Sequence, residues 1–339
     1  MLGRTGNMGR AATKHSGENI FSLKYAFLVI LGPTAVGKTE VALNLLSKIR
    51  GEIISADSRQ IYKGMDIGTG KPFPAIKKEF PHHLVDIISP SQIFNAGKFK
   101  EQAEKIIKKL QKENKLPVVV GGCGLYIKAL VDGLFVGPGA DWDLRKKLKK
   151  EVQEKGNKSL YEKLKKIDPE TASWVHPNDQ RRVIRALEVY YLSGKKISSY
   201  QKEHPSSLSK TVIIGLRRKK DFLYKLINER VDKMIKEGLI QEVETLLKKG
   251  YDENLPSMQG LGYRQIVGYL KGKYPKEEAI RLIKRDTRRF SKRQLSWFKK
   301  DKRIIWLNME DYSFSEAADK IIEILGERIN ESRKTNFFN

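Results

Sequence analysis

The sequence predicts an α/β protein in which a parallel sheet is flanked by helices and interrupted by a purely helical insertion. Three observations carry that expectation. Short apolar runs at 27–31, 53–54, 116–122 and 211–216 read as buried strands of the kind parallel sheets use. The first run leads straight into a glycine-rich turn and then a helical pattern. From Asp141 to about Pro205 the pattern is helical and lysine-rich with no strand signal, after which strands resume.

The glycine-rich turn is the centre of the reading. Gly32-Pro33-Thr34-Ala35-Val36-Gly37-Lys38-Thr39 fits G-x-x-x-x-G-K-[ST]. Its glycines let successive backbone N–H groups curl around an anion, and the following helix N-terminus adds partial positive charge. Lys38 would reach the terminal phosphates, and Thr39 would hold Mg²⁺. The bland alternative is a strand–turn–helix with a chance Gly-Lys-Thr, but strand before and helix after are the context a P-loop needs. The expected core is therefore a P-loop NTPase-like parallel sheet flanked by helices, spanning 25–136 and 206–330, with a helical insertion domain at 137–205. The motif implies a bound di- or triphosphate group and does not name the reaction.

Composition narrows the classes. The 339 residues are 40% hydrophobic and 31% charged, enough for a buried core, and no apolar run approaches the roughly 20 residues of a membrane helix. No membrane association is expected, and nothing demands more than a monomer. The single cysteine, Cys123, excludes a disulfide framework and a cysteine-rich metal site, and it fits a reducing, cytoplasmic setting. Lys plus Arg number 66 against 40 Asp plus Glu, a formal charge of +26 that points to a polyanionic partner. The charge is clustered: 145–166 holds ten basic and three acidic residues, and 281–303 holds eleven basic and two acidic. Two such segments suggest two walls of a nucleic-acid groove, although basic helical faces are often only solvated.

In chain order, residues 1–24 lack periodicity and read as a disordered extension, a mis-called start or a weak transit-like segment. Asp57 falls just past the strand at 53–54, at the edge that faces the ligand crevice in open α/β sheets. There it is a candidate general base or Mg²⁺ contact, against the plainer role of a turn or N-cap residue. Residues 64–72 form a loop, and 82–87 read as another short strand whose paired histidines lack a third ligand and are taken as structural. An amphipathic helix over 99–113 buries Phe99, Ala103, Ile106, Ile107 and Leu110. The central strand at 116–122 ends in Gly-Gly-Cys-Gly, without the Asp that many P-loop ATPases place there for Mg²⁺, which favours a small-group transferase over a motor or switch. After a helix from 125 and a Gly/Pro linker at 133–140, the insertion reads as a lid or substrate grip. Its helix at 179–192 turns Val183, Ile184, Leu187 and Tyr191 inward. Arg230 lies on a helix over 221–237 and could aim at the phosphates, and Tyr263, in a loop at 256–264, could stack on a base. The last basic helix carries Ile280, Ile283, Phe290 and Trp297 on its apolar side. A strand at 304–307 and a helix over 314–329 close the core, and 331–339 reads as a frayed tail.

Taken together, GPTAVGKT (32–39), ISADSRQIYKGMDIGTGKP (54–72), HHLVDI (82–87), VVVGGCGLYIKAL (118–130), HPNDQRRVIRALEV (176–189), LPSMQGLGYRQ (255–265) and RDTRRFSKRQLSWF (285–298) resemble the bacterial tRNA dimethylallyltransferase family, the tRNA isopentenyltransferases. The matching pieces run in order from about 27 to 307. The resemblance implies an enzyme that moves a dimethylallyl group from dimethylallyl diphosphate to the exocyclic amino group of the adenosine 3′ of the anticodon. The P-loop would then hold a diphosphate leaving group rather than ATP, with Mg²⁺ as cofactor and the tRNA anticodon stem-loop as partner.

By this resemblance Asp57 is the base, Thr34 lies near the reacting centre, and Lys38 and Arg230 stabilise the departing diphosphate with the loop 32–39. Contacts to tRNA fall on Asp57, Ser58, Arg59 and Gln60, on Arg145, on Arg181, Arg182, Val183, Ile184 and Arg185, and on Gln259, Gly260, Leu261, Gly262, Tyr263 and Arg264. Charge alone adds Arg285, Arg288, Arg289 and Arg293. Cys123 stands at another tRNA-contact position where the family usually has Thr, and a thiol is the weaker hydrogen-bond partner. The reaction needs no covalent intermediate, so Cys123 is not read as a nucleophile. No zinc-finger Cys/His set follows the core. The rivals are a P-loop kinase using ATP on a small metabolite, a non-catalytic RNA-binding protein with a vestigial P-loop, and an isopentenyltransferase acting on free AMP or adenosine; the basic segments favour tRNA.

Overall fold

The computed structural model describes residues 27–202 and 211–337, with side chains as far as residue 328. The extension expected at 1–24 lies outside the described residues. The chain divides into two compact units, one formed by residues up to Ile127 together with those from 211 onward, the other beginning at Lys128.

The first unit is built on six parallel strands: β1 (Phe27–Leu31), β2 (Gly51–Ala56), β3 (His82–His83), β4 (Leu116–Gly121), β5 (Thr211–Arg217) and β6 (Ile305–Asn308). Their order is β3-β2-β4-β1-β5-β6. Every residue of β1 and β4 is buried, which is why both read as unbroken apolar runs rather than alternating ones. The register pairs Leu31 with Gly121 and Gly215, and Ala56 with Gly121. The chain therefore leaves β1, β2, β4 and β5 at one edge of the sheet. The P-loop, Asp57 and the Gly-Gly-Cys-Gly turn emerge there side by side, and that alignment builds the site.

Helices α1 (Lys38–Leu46), α2 (Pro74–Glu79), α3 (Ala96–Lys112) and α4 (Gly124–Val131) connect the first strands. Helix α3 buries Phe99, Ala103, Ile107 and Leu110 at helical spacing and is capped by the Asn95 side chain, which accepts from the Lys98 amide. The strand expected over 82–87 is only two residues long. Leu84 (φ 60°) and Asp86 (φ 58°) take left-handed backbone, which ends the extended run, and Asp86 is held there by Lys71 and Lys77.

The second unit holds α5 (Trp142–Ile167), α6 (Pro169–Trp174), α7 (Gln180–Ser193) and α8 (Ile197–Lys202), with no strand among its described residues. Helix α5 breaks at Gly156, whose φ of 75° only a residue without Cβ adopts freely. Leu148, Leu160, Leu164, Val183, Ile184 and Leu187 form its core. Asp141, Asp168 and Asp179 cap α5, α6 and α7. Tyr191, expected to face inward, is 45% exposed, because the buried stripe of α7 runs instead through Ala186, Leu187 and Val189.

The first unit resumes after β5 with α9 (Lys220–Lys236), α10 (Leu239–Lys248), α11 (Tyr263–Leu270) and α12 (Lys276–Phe298), and ends on β6 and α13 (Phe314–Phe337). The backbone of 331–337 is helical. The face of α12 that is buried carries Ala279, Ile283, Ser291, Gln294 and Phe298; Trp297, expected on the apolar side, is 40% exposed. Among the described residues no helix is long and apolar enough to cross a membrane.

Candidate active site

The P-loop wraps on the edge where β1 ends. Ala35 (φ 63°) and Gly37 (φ 104°) adopt left-handed backbone, the conformation that turns successive amides toward one point and makes an anion-binding concavity. Lys38 opens α1, and its Nζ donates to the Pro33 carbonyl at 2.7 Å, so the side chain folds back over the loop. Thr39 occupies the first turn of the same helix.

Asp57 sits one residue beyond β2. Its Oδ1 accepts from the Arg59 amide at 2.8 Å, so the plainer turn role is realised, and the carboxylate remains partly exposed. Cys123 follows β4 and donates its backbone N–H to the Ala56 carbonyl at 3.2 Å, which locks the Gly-Gly-Cys-Gly turn against the start of the Asp57 loop. Burial pushes the Cys123 thiol pKa up, so it stays protonated beside Asp57 and Ser58.

Arg230 reaches this edge from α9. A Cβ placed on Gly70 would lie 2.1 Å from its guanidinium, so the arginine fills the space that the glycine leaves in the 64–72 loop. Burial, then the Arg230 charge, bring the Lys38 pKa down to about 8, while Asp57 and Glu40 pull it up. Arg230 is itself lowered by burial and supported by Asp57 and Glu40. Lys38 and Arg230 converge beside a cradle of amides, with Asp57 and Glu40 as the carboxylates acting on both. The cradle and its two cations fit a polyanion.

The supporting contacts are hydrogen bonds that the sequence does not announce. Gln60 accepts from Ser55 Oγ at 2.8 Å and donates to the Gly70 carbonyl at 3.2 Å. Glu242 on α10 accepts from the amides of Asp66, Ile67 and Gly68 at 2.8, 2.7 and 3.1 Å and from Tyr263 Oη at 2.6 Å, pinning the 64–72 loop. Arg218 donates from Nε to the Val36 carbonyl at 3.3 Å, adding a third cation at the P-loop. Gln294 on α12 joins the P-loop to the turn after β4.

The residues read as tRNA contacts stand in several different settings. Tyr263 is 1% exposed and bonded to Glu242, so it cannot stack on a base here; it is a core residue at the start of α11. Val183 and Ile184 are buried in the second unit's core, and Gly260 and Gly262 are buried as well. Arg145 donates through Nε and Nη2 to the fully buried Glu188, both at 2.8 Å, and Arg185 donates to the same carboxylate at 2.6 Å. These two guanidiniums hold structure. Arg181 and Arg182 are exposed, with Arg182 paired to Asp179 on its own helix. Gln259 and Arg264 line a cavity of about 380 Å³ with Lys273, Tyr274 and Asp286, and no P-loop residue lines it. The basic segment 145–166 belongs to α5 of the second unit, and most of 281–303 belongs to α12 of the first.

A family model described as IPP transferase matches residues 60–301. The chain is 48% identical over 317 residues to a tRNA dimethylallyltransferase of Halothermothrix orenii, covering 93% of this chain and 97% of that one. The full-length tRNA isopentenylpyrophosphate transferase of Bacillus halodurans has a structure that matches with a TM-score of 0.69 at 40% identity, over 92% of this chain and 99% of that one. A eukaryotic dimethylallyltransferase crystallised in the course of acting on tRNA matches with a TM-score of 0.75 at 28% identity, over 90% and 79% of the two chains. With that extent of match around a P-loop edge that gathers Lys38, Arg230 and Asp57, the chain belongs to the IPP transferase family.

Proposed function

We propose that this enzyme transfers the dimethylallyl group of dimethylallyl diphosphate to the exocyclic amino nitrogen of the adenosine 3′ of the anticodon in tRNA, releasing diphosphate. The relatives named tRNA dimethylallyltransferase support the reaction class. The observation that carries it to this site is the pair of partly buried cations, Lys38 and Arg230, set beside Asp57 at the P-loop. That set suits a diphosphate that gains negative charge as it leaves and an amine that loses a proton as it attacks.

The adenine nitrogen forms a bond to the first carbon of the allyl group, and the carbon–oxygen bond to diphosphate breaks with its electron pair staying on oxygen. Lys38, Arg230 and the amides of 35–37 meet that growing charge, and they are in place before the reaction, which makes them effective. Asp57 takes the proton from the nitrogen. Thr34 lies in the same loop. The target base leaves its stack to reach the site, as enzymes acting on a base require.

Among the described residues no group of three or more His, Cys, Asp or Glu could hold a metal alone. Mg²⁺ bound with a diphosphate asks for less, since it keeps several waters and takes phosphate oxygens with one or two protein donors. Thr39 at the first turn of α1 fits that need, and Mg²⁺ there would neutralise part of the diphosphate charge. A tRNA acceptor supports reading the enzyme as cytoplasmic, and we take it to act as a monomer.

The test is a transfer assay with purified protein, Mg²⁺ and labelled dimethylallyl diphosphate, offered unmodified tRNA, AMP or no acceptor. Label at the adenosine next to the anticodon is the expected result. Label in AMP alone would keep the site chemistry and overturn the tRNA acceptor, and no transfer to either would overturn the reading.

A further inference from the structure

We infer that Gln294 is a positioning residue for the transfer reaction: one buried side-chain amide fixes the P-loop and the Gly-Gly-Cys-Gly turn relative to each other. Its Oε1 accepts from the Thr34 amide at 3.0 Å, and its Nε2 donates to the Gly122 carbonyl at 2.9 Å. The residue is 7% exposed. Only one orientation of the amide satisfies both partners, because flipping it would set N–H against N–H and carbonyl against carbonyl.

The glycines of the turn are shaped around this contact. A Cβ on Gly122 would stand 2.3 Å from Gln294 Nε2, and one on Gly124 would stand 2.4 Å from Trp297 Nε1. Gln294 and Trp297 are three residues apart on α12 and so lie on neighbouring faces. Together they press on the turn that follows β4. That turn is bonded to Ala56, the residue before Asp57. Gln294 thus spans the loop expected to hold the diphosphate and the loop that borders the expected base. A polar side chain buried in the otherwise packed face of a basic helix costs stability unless it is bonded, and here both the oxygen and the nitrogen of the amide have a partner. Its return is geometry: leaving group and base are held at a set spacing. The same helix carries Arg285, Arg289 and Arg293, so the residue that fixes the loops rides on a candidate RNA-binding element.

This inference rests on the proposed reaction. Gln294→Ala, Gln294→Glu and wild type are compared in single-turnover transfer to tRNA, with tRNA Kd and thermal midpoint measured in parallel. Gln294→Ala should lose about 10²-fold in rate at saturating donor, the scale of a displaced reacting group, with tRNA Kd within about twofold of wild type. Gln294→Glu keeps the acceptor for Thr34 but sets a carboxylate oxygen against the Gly122 carbonyl, so it should stay as slow as Gln294→Ala. If Gln294→Ala does not fold, Gly122→Ala attacks the same contact from the other side and should show the same loss of rate with tRNA Kd kept. A Gln294→Ala enzyme with the wild-type rate, or one whose loss lies wholly in KM or tRNA Kd, would overturn the inference alone. Wild-type protein that transfers to no acceptor would overturn the functional reading and this inference with it.

Discussion

The Arg230 guanidinium shares the surroundings of Lys38, and desolvation first and then that charge bring the Lys38 pKa down to about 8, against the opposing pull of Asp57 and Glu40. A bound diphosphate reverses that balance. Its negative charge favours the protonated lysine, so the pKa rises in the complex. Well below pH 8 the lysine is already charged and takes up no proton on binding. Above pH 8 the free enzyme is largely neutral at Lys38 and binding must draw one proton from solution. Titration calorimetry with inorganic diphosphate in buffers of different ionisation heat should therefore show added proton uptake at pH 8.5–9, absent in Lys38→Met. Arg230→Gln should weaken binding and move the onset of uptake to higher pH. Equal uptake in wild type and Lys38→Met would remove Lys38 from the diphosphate site.

Asp57 separates a chemical role from a structural one, because its Oδ1 also caps the Arg59 turn. Asn keeps an oxygen for that amide and cannot take a proton. Asp57→Asn should thus fold like wild type, bind tRNA, and lose roughly 10²–10⁴-fold in the single-turnover rate, the range of a missing general base. A wild-type rate in Asp57→Asn would end its role as the base.

The extent to which the site is legible in the sequence follows from the kind of interaction involved. The P-loop is a local motif whose spacing is its own evidence, and the strands β1, β4 and β5 are buried on both faces and so spell continuous apolar runs. The place of Asp57 beside the P-loop is legible because parallel strands put their C-terminal ends on one edge. What stays hidden depends on pairs far apart in the chain. Gln294 meets Thr34 across 260 positions, and Glu242 meets Ile67 across 175. The one local trace of Gln294 is the buried stripe of α12, where Ser291 and Gln294 stand among Ile283 and Phe298. Charge and aromaticity drew the contrary readings. Tyr263 looks like a stacking residue in a glycine loop, yet Glu242 gives its hydroxyl a buried partner. Arg145 and Arg185 read as phosphate ligands from charge and resemblance, and no local pattern announces that both also bind Glu188, an acid on the inner face of α7.

Glu188 makes its own prediction. It is fully buried and accepts from Arg145, Arg185 and the Asp141 amide, while Arg185 also donates to the Pro138 carbonyl at 2.8 Å. Removing the charge leaves two guanidiniums facing each other. Glu188→Gln should cost about 3 kcal/mol, the low end for a broken buried pair because both arginines are about a quarter exposed. The Glu188 pKa is raised by burial and lowered further by the arginines and the Asp141 amide, ending below its usual 4.5. A group lowered in the folded state stabilises above its unfolded pKa and loses that contribution as pH falls through the folded one. Wild type should therefore lose stability below about pH 4.5 more steeply than Glu188→Gln. Urea denaturation at pH 7 and pH 4 checks both points, and equal pH slopes would sink the assignment.

Arg181 and Arg182 remain as the exposed cations of α7, and the difference between them and Arg185 can be measured. An exposed arginine on a phosphate releases counterions when it binds, and losing one such contact lowers the slope of log K against log salt by up to about 0.9. Arg181→Ala with Arg182→Ala should thus flatten the salt dependence of tRNA binding by between about 1 and 2 while the protein melts as wild type. Arg185→Ala breaks a bond to buried Glu188 instead, so it should lower the melting temperature and leave the salt slope of the folded fraction nearly unchanged. The double variant removes two charges from this helix and Arg185→Ala removes one, so the comparison is made per charge: a slope change per arginine that is large in the double variant and near zero in Arg185→Ala reports the partner of each guanidinium. A salt slope unchanged in the double variant would take Arg181 and Arg182 out of the RNA interface.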